Sequence, residues 1–242
     1  MPADAPTILA TSGGLKPGVR APWSVGGLTD HALDLSGVSG RRPKVCFLAT
    51  ACGDNPHVIT TFYNAAIERG LTPSHLSLFT MPNVEDITAH LLDQDVIWVY
   101  GGSVAGLLAM WRLHGVDDAM HAAWRAGVVL TGVSAGSLCW HLGGTTDSFG
   151  PQLRPVTNGL GLVPYSNGVH YDSEEQRRPL FQQLVADGTL PAGYATDDGV
   201  GLLYRDTEFV EALTERDGKG AYFVERGPDG TAVETALETR LL

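Results

Sequence analysis

Ser134 stands in Gly132-Val133-Ser134-Ala135-Gly136, one hydroxyl among small residues, directly after the apolar run GVVLTGV and ahead of a helical stretch. A serine on a sharp strand-to-helix turn presents its hydroxyl, and glycine and alanine around it let the backbone pass closely. The start of the following helix also favours developing negative charge. The pattern predicts a nucleophile elbow. The plainer reading is a serine that merely caps a helix, and the flanking strand and helix favour the nucleophile.

A serine hydroxyl near neutral pH needs a base to take its proton and a third group to orient that base. Two histidines follow Ser134. His141 lies seven residues on in the same short helical stretch and points along it. His170, in PYSNGVHYD, ends a strand-like run ahead of a helix, where the catalytic groups of open α/β sheets gather. His170 is the candidate base, against a core or capping role. His31, His57, His75, His90, His114 and His121 read as surface or interface residues. Three aspartates compete for the orienting role: the pair Asp197 and Asp198 in GYATDDGVGLLY, and Asp147 in GGTTDSFG. Each is also an ordinary turn residue beside glycine.

An oxyanion hole takes two backbone N–H groups, one of them from the residue after the nucleophile, here Ala135. The second candidate is Gly102 in Tyr100-Gly101-Gly102-Ser103, with Ser103 beside it as a candidate substrate contact. A phosphate cradle in GGSVAG lacks both the lysine of a P-loop and the spacing of a dinucleotide fingerprint.

These residues need a scaffold that brings strand ends together. From Lys44 onward, short β-branched runs alternate with amphipathic ones, the pattern of a parallel sheet covered by helices. Strands are expected at KVCFLAT from Lys44, SHLSLF from Ser74, DVIWVY from Asp95 and GVVLTGV from Gly127, with an earlier one at PTILATSGG from Pro6. Helices are expected over 58–69, 84–92, 104–113 and 116–125. The Gly-rich segment 15–42 and the stretch 143–164 read as loops, 173–186 as a helix, and the rest as a β-rich finish to the same domain. No repeat or linker divides the chain, so 1–242 is expected as a single domain.

Composition narrows the function classes. Sixteen Lys plus Arg against 27 Asp plus Glu give a net charge of -11, which repels phosphate backbones and anionic lipid. Nucleic acid and membrane are therefore not expected partners. Cys46, Cys52 and Cys139 are odd in number and match no metal-ligand spacing, so they read as thiols in a reducing compartment. The first fourteen residues lack a basic start with an apolar core, which makes the cytoplasm the expected location.

Taken together, VYGGSVAGLL, GVSAGS, His170 ahead of the EEQRR helix and TDDGVGL resemble the peptidase E (aspartyl dipeptidase) and cyanophycinase family of serine peptidases, over roughly 44–203. The resemblance implies an α/β fold with a doubly wound, mostly parallel sheet, class I glutamine amidotransferase-like (flavodoxin-like). It also implies a Ser–His–acid triad, a small peptide substrate, and neither metal nor cofactor. Carried over by motif, Ser134 is the nucleophile, His170 the base, and Asp198 stands where the family has Glu or Asp. The order Ser, His, acid departs from the Ser, acid, His order of the α/β-hydrolases.

One position departs from the family. Its aspartyl dipeptidases carry an arginine just after the histidine, in a run like Arg-Glu-Gln-Arg, to receive the substrate's acidic side chain. Here the run is Ser173-Glu174-Glu175-Gln176-Arg177, which puts Glu174 at that place and leaves Arg177 or Arg178 as the alternative cation. A carboxylate there repels an aspartyl side chain. The expected function is a serine peptidase for small peptides with doubtful Asp-X specificity. The competing reading is a non-catalytic amidotransferase-like domain that binds a ligand or partner, and monomer and homodimer both stay open.

Overall fold

The structure, a computed structural model, describes residues 3–242, so the first two residues of the segment read for a targeting signal lie outside it. The chain opens with β1 (Thr7–Thr11), a small hairpin of β2 (Leu15–Pro17) and β3 (Trp23–Val25), and α1 (Gly27–Leu35). Strands and helices then alternate through β4 (Lys44–Leu48), α2 (Pro56–Glu68), β5 (Thr72–Leu76), α3 (Ile87–Leu92), β6 (Val96–Val99), α4 (Val104–His114), α5 (Val116–Arg125) and β7 (Val129–Val133). Beyond Ser134 come α6 (Ala135–Leu138), β8 (Gly143–Thr146), β9 (Arg154–Val156), β10 (Ser166–Gly168), α7 (Arg177–Ala186) and β11 (Gly193–Thr196). The chain finishes with β12 (Val200–Arg205), β13 (Glu208–Thr214), β14 (Ala221–Arg226), β15 (Ala232–Leu237) and β16 (Thr239–Leu241).

The main sheet has the order β16-β13-β12-β1-β7-β6-β4-β5. Its five strands from β1 to β5 in that order are all parallel. Side chains alternate between its two faces, as a period of two requires. Leu9, Val45, Phe47, Val96, Trp98 and Val129 meet Leu28, Ala32 and Leu33 of α1 and Phe62 and Ala66 of α2. Ile8, Cys46, Leu48, Ile97, Val99 and Leu130 meet α4 and α5 through Leu107, Leu108, Trp111, Met120 and Ala123. Helices on both faces make this the expected doubly wound, mostly parallel α/β sheet. The helix starts are set by local chemistry: Asn55 with Pro56 opens α2, and the Asp86 and Ser103 side chains accept from Ala89 N–H and Gly106 N–H to open α3 and α4.

Several expectations are corrected: the strand expected from Ser74 runs Thr72–Leu76, and the helix expected over 84–92 begins at Ile87. Segment 15–42, expected as loop, holds the hairpin and α1, because three-residue strands and a nine-residue helix flanked by glycines are too short to show a period. Stretch 143–164, also expected as loop, contributes β8 and β9, although GGTT has none of the apolar alternation that marks a strand. The helix expected from Ser173 begins at Arg177.

The β-rich finish divides between two sheets. β12, β13 and β16 extend the main sheet beyond β1. β15, β14 and β11 join β10, β8 and β9 in a second sheet, on which α7 packs through Phe181, Leu184 and Val185. The core on the α4 and α5 side continues between the sheets, with Tyr194 of β11 6.0 Å from Tyr204 of β12 by ring centroids.

Candidate active site

β7 lies between β1 and β6, and its carboxyl end delivers Ser134 to the edge of the main sheet. Ser134 has φ 58° and ψ -111°, a sparsely populated conformation for a residue with a side chain, which costs about 1–3 kcal/mol and persists where surroundings impose it. Here its N–H donates to Thr11 O at 3.1 Å, and its carbonyl accepts from Ser137 and Leu138 N–H at 2.9 Å each to begin α6. Gly136 makes the turn possible, because a Cβ there would stand 2.2 Å from Val99 O. Ser134 is partly exposed, and its hydroxyl makes no hydrogen bond among the described residues.

His170 follows β10 and Asp198 follows β11. These strands are parallel neighbours, so their carboxyl ends set the two side chains together. His170 Nδ1 donates to Asp198 Oδ1 at 2.6 Å. A carboxylate only accepts, so Nδ1 carries the proton, and in the neutral imidazole this pairing assigns the lone pair a general base needs to Nε2. His170 also has positive φ, 53°, and its N–H donates to Ser12 Oγ at 3.3 Å.

Thr11 and Ser12, at the end of β1, tie the pieces together. Thr11 holds Ser134, while Ser12 holds His170, pairs with Thr196 Oγ1 at 2.8 Å, donates to Val200 O and accepts from Gly199 N–H, the last two at 2.8 Å each. Consecutive residues thus anchor the candidate nucleophile, base and acid loop. The strand ending in a glycine turn was legible in PTILATSGG, but nothing in sequence marks its hydroxyls as struts. Asp172 is similar: it accepts from Asp198 N–H at 2.9 Å and pairs with Lys219, which is 47 residues further along the chain.

The other candidates stand elsewhere. Asp197 is buried, accepts from Gly220 N–H at 3.0 Å through Oδ2 and is pushed up in pKa by burial. Asp147 is exposed, and its carbonyl accepts from Gly150 N–H in a turn. His141 is fully buried, with Nδ1 donating to Ser137 O at 2.9 Å and Nε2 accepting from Tyr204 OH at 3.1 Å. Burial lowers its pKa to about 4, so it is a neutral core histidine.

The N–H groups of Gly102 and Ala135 meet no acceptor among the described residues. Gly102 has φ 134°, and a Cβ on it would lie 2.4 Å from Ala51 O, while the adjacent Gly101 lies against Ser134. Ser103 spends its hydroxyl on Gly106 N–H at 3.0 Å and its own N–H on Ala51 O at 2.8 Å. Glu174 is one turn beyond His170, whose carbonyl accepts its N–H at 3.2 Å. Its Oε2 accepts from buried Arg177 Nε at 2.7 Å, and Arg177 also donates to Thr145 O. Arg178 pairs with Glu234 and lies over the Tyr171 and Tyr222 rings, 5.3 and 4.8 Å from their centroids. Both arginines are therefore engaged.

A cavity of about 350 Å³ opens beside Glu174, lined by Asp147, Pro151, Leu153, Glu174, Glu175 and Gln176. Asp147 borders Ser148, whose hydroxyl accepts from Ala105 N–H at the start of α4 at 3.3 Å, and Glu174 is held to His170 by the backbone hydrogen bond described above. Three carboxylates against the one guanidinium of Arg177 leave it negative. Among the described residues no group of three or more His, Cys, Asp or Glu is placed to hold a metal ion, and no helix is long and apolar enough to cross a membrane.

The sequence model of peptidase family S51 matches residues 26–212. The chain is 40% identical over 183 residues to the uncharacterized peptidase YgaJ of Bacillus subtilis, covering 76% of this chain and 78% of that one. It is 27% identical over 165 residues to peptidase E of Shewanella denitrificans, covering 64% and 69% of the two chains. In three dimensions it resembles a crystal structure of a peptidase from an acI-B1 Actinobacterium, with a TM-score of 0.68 at 15% identity over 97% and 95% of the chains. That likeness speaks for the fold.

Proposed function

Because this chain belongs to peptidase family S51 and is a peptidase of the peptidase E kind, we propose that it is a serine peptidase that hydrolyses small peptides through an acyl-enzyme on Ser134. The observation that carries the reading is the 2.6 Å His170–Asp198 hydrogen bond, with Ser134 and His170 anchored on the consecutive residues Thr11 and Ser12 where β1 ends.

In this reading Ser134 Oγ attacks the scissile carbonyl while His170 Nε2 takes its proton. Asp198 holds the imidazole in register and compensates the imidazolium that forms. The N–H groups of Gly102 and Ala135 receive the charge developing on the carbonyl oxygen. His170 then protonates the leaving amine, and water activated by the same base releases the acid and restores Ser134. The negative cavity beside Glu174 argues against Asp-X dipeptides as preferred substrates and in favour of neutral or basic side chains. Two buried free thiols, Cys46 and Cys139, suit a reducing compartment such as the cytoplasm.

A fluorophosphonate probe tests the reading directly, since only an activated serine labels. The wild-type chain is expected to label and to release amine from a dipeptide library, and Ser134→Ala to do neither. Absence of both in folded wild-type protein would favour the non-catalytic, ligand-binding alternative.

A further inference from the structure

On the α1 and α2 side of the main sheet, a second cavity of about 190 Å³ is lined by Gly13, Leu15, Trp23, Trp98, Tyr100 and Val133. Gly13, Tyr100 and Val133 lie at the carboxyl ends of β1, β6 and β7, three adjacent strands. Val133 immediately precedes Ser134. Tyr100 immediately precedes Gly101, where a Cβ would stand 3.2 Å from Ser134 Cβ. The cavity therefore opens directly beside the candidate nucleophile. Leu15 and Trp23 reach it from the β2–β3 hairpin, a flap over this edge of the sheet.

The walls are aromatic and uncharged. Trp23 and Tyr100 rings are 5.3 Å apart, tilted by 32°, and Tyr100 continues into the core through Trp98 at 6.2 Å and Phe47 at 5.9 Å. Trp98 Nε1 is already engaged by Thr29 Oγ1 at 3.0 Å. A charged side chain entering here would lose water against uncharged walls, the Glu215 carboxylate beside Gly13 being already engaged by Gly14 and Leu28 N–H, whereas an apolar ring would find flat faces held rigid by the packing behind them.

We propose that this cavity is a substrate subsite that takes an apolar, above all aromatic, side chain of the peptide cleaved at Ser134. The inference rests on the proposed peptidase reading and adds to it the chemistry of one substrate residue. Trp23 and Tyr100 are its specificity-determining residues, and the hairpin is the element that completes it.

The test compares kcat/KM for Ala-Ala, Phe-Ala and Ala-Phe with the unmodified enzyme, alongside fluorophosphonate labelling. Phenylalanine at one of the two positions is expected to raise kcat/KM about tenfold or more, the scale on which apolar pockets discriminate. Trp23→Ala, checked for folding by its melting curve, is expected to remove most of that gain. Equal kcat/KM for the three dipeptides in an enzyme that labels and cleaves Ala-Ala overturns the subsite and leaves the peptidase reading standing. So does a folded Trp23→Ala protein that keeps the full gain. Failure to label and to cleave any of the three overturns both.

Discussion

Ser134→Ala removes one hydroxyl from a turn whose backbone is held by Thr11 and by the glycine at 136. A folded protein with activity lower by about 10⁴-fold or more is the expected outcome, because triad members act as a unit. Near-wild-type turnover in a folded variant would move the chemistry elsewhere. Asp198→Asn is expected to cost about as much by allowing the wrong histidine tautomer, with Asp197→Asn and Asp147→Asn milder. His141 offers a contrast that is read in stability. Burial lowers its pKa to about 4 in the fold from the ordinary 6.5 of an exposed imidazole. The unfolded chain thus takes up a proton near 6.5 that the native state refuses until about 4. The stability tied to neutral His141 is complete above 6.5 and is lost as pH falls through that window, on the order of 3 kcal/mol. Urea midpoints between pH 7 and 4.5 should fall less steeply in His141→Gln than in wild type. Equal slopes would show that His141 does not carry this acid sensitivity. Ser134 and His170 were legible because each ends a strand-like run ahead of a helix. Ser12, Asp172 and Lys219 were not, since a strut's partners are set by the fold and not by neighbours in sequence.

At the scale of the element, Ser103 poses a clear choice. As the opening residue of α4 it satisfies Gly106 N–H, and substituting such a cap by alanine costs about 1 kcal/mol while glycine costs only a few tenths. Ser103→Ala is therefore expected to lower the melting temperature, with Ser103→Gly closer to wild type and KM unchanged in both. A raised KM with unaltered melting would return Ser103 to the substrate contacts. The central strands were readable because each is an apolar run of four or five residues bounded by turns, and α2, α4 and α5 because their amphipathic runs carry a helical period. β8 and β9 were hidden for the opposite reason. GGTT is buried along its whole length and owes its strand character to β10 and β9 on either side. The second sheet was hidden with them, since β10 and β8 lack apolar alternation and offer the β-rich tail no visible partner.

Across the whole molecule, the two sheets divide the labour: the main sheet presents Ser134, and the second presents His170 and Asp198. We read them as one domain because a shared core with Tyr194 and Tyr204 runs between them. The long-range field acts on the substrate before any contact does. A net charge of -11 and a cavity carrying Asp147, Glu174 and Glu175 both favour cationic over anionic side chains. An aspartyl carboxylate facing these groups with Arg177 and Arg178 already engaged would lose several kcal/mol, and each 1.4 kcal/mol is about tenfold in rate or affinity. The expected order of kcat/KM is therefore Lys-Leu and Ala-Leu well above Asp-Leu. Salt separates the field from the contact. Since screening shortens to about 3 Å at 1 M ionic strength, raising salt should lower kcat/KM for Lys-Leu, raise it modestly for Asp-Leu, and leave Ala-Leu nearly unchanged. Glu174→Arg should then improve Asp-Leu selectively at every salt concentration, because it changes the local contact as well as the field. A wild-type preference for Asp-Leu that persists in high salt would sink this account, and would require one of the two engaged arginines to leave its partner when substrate binds.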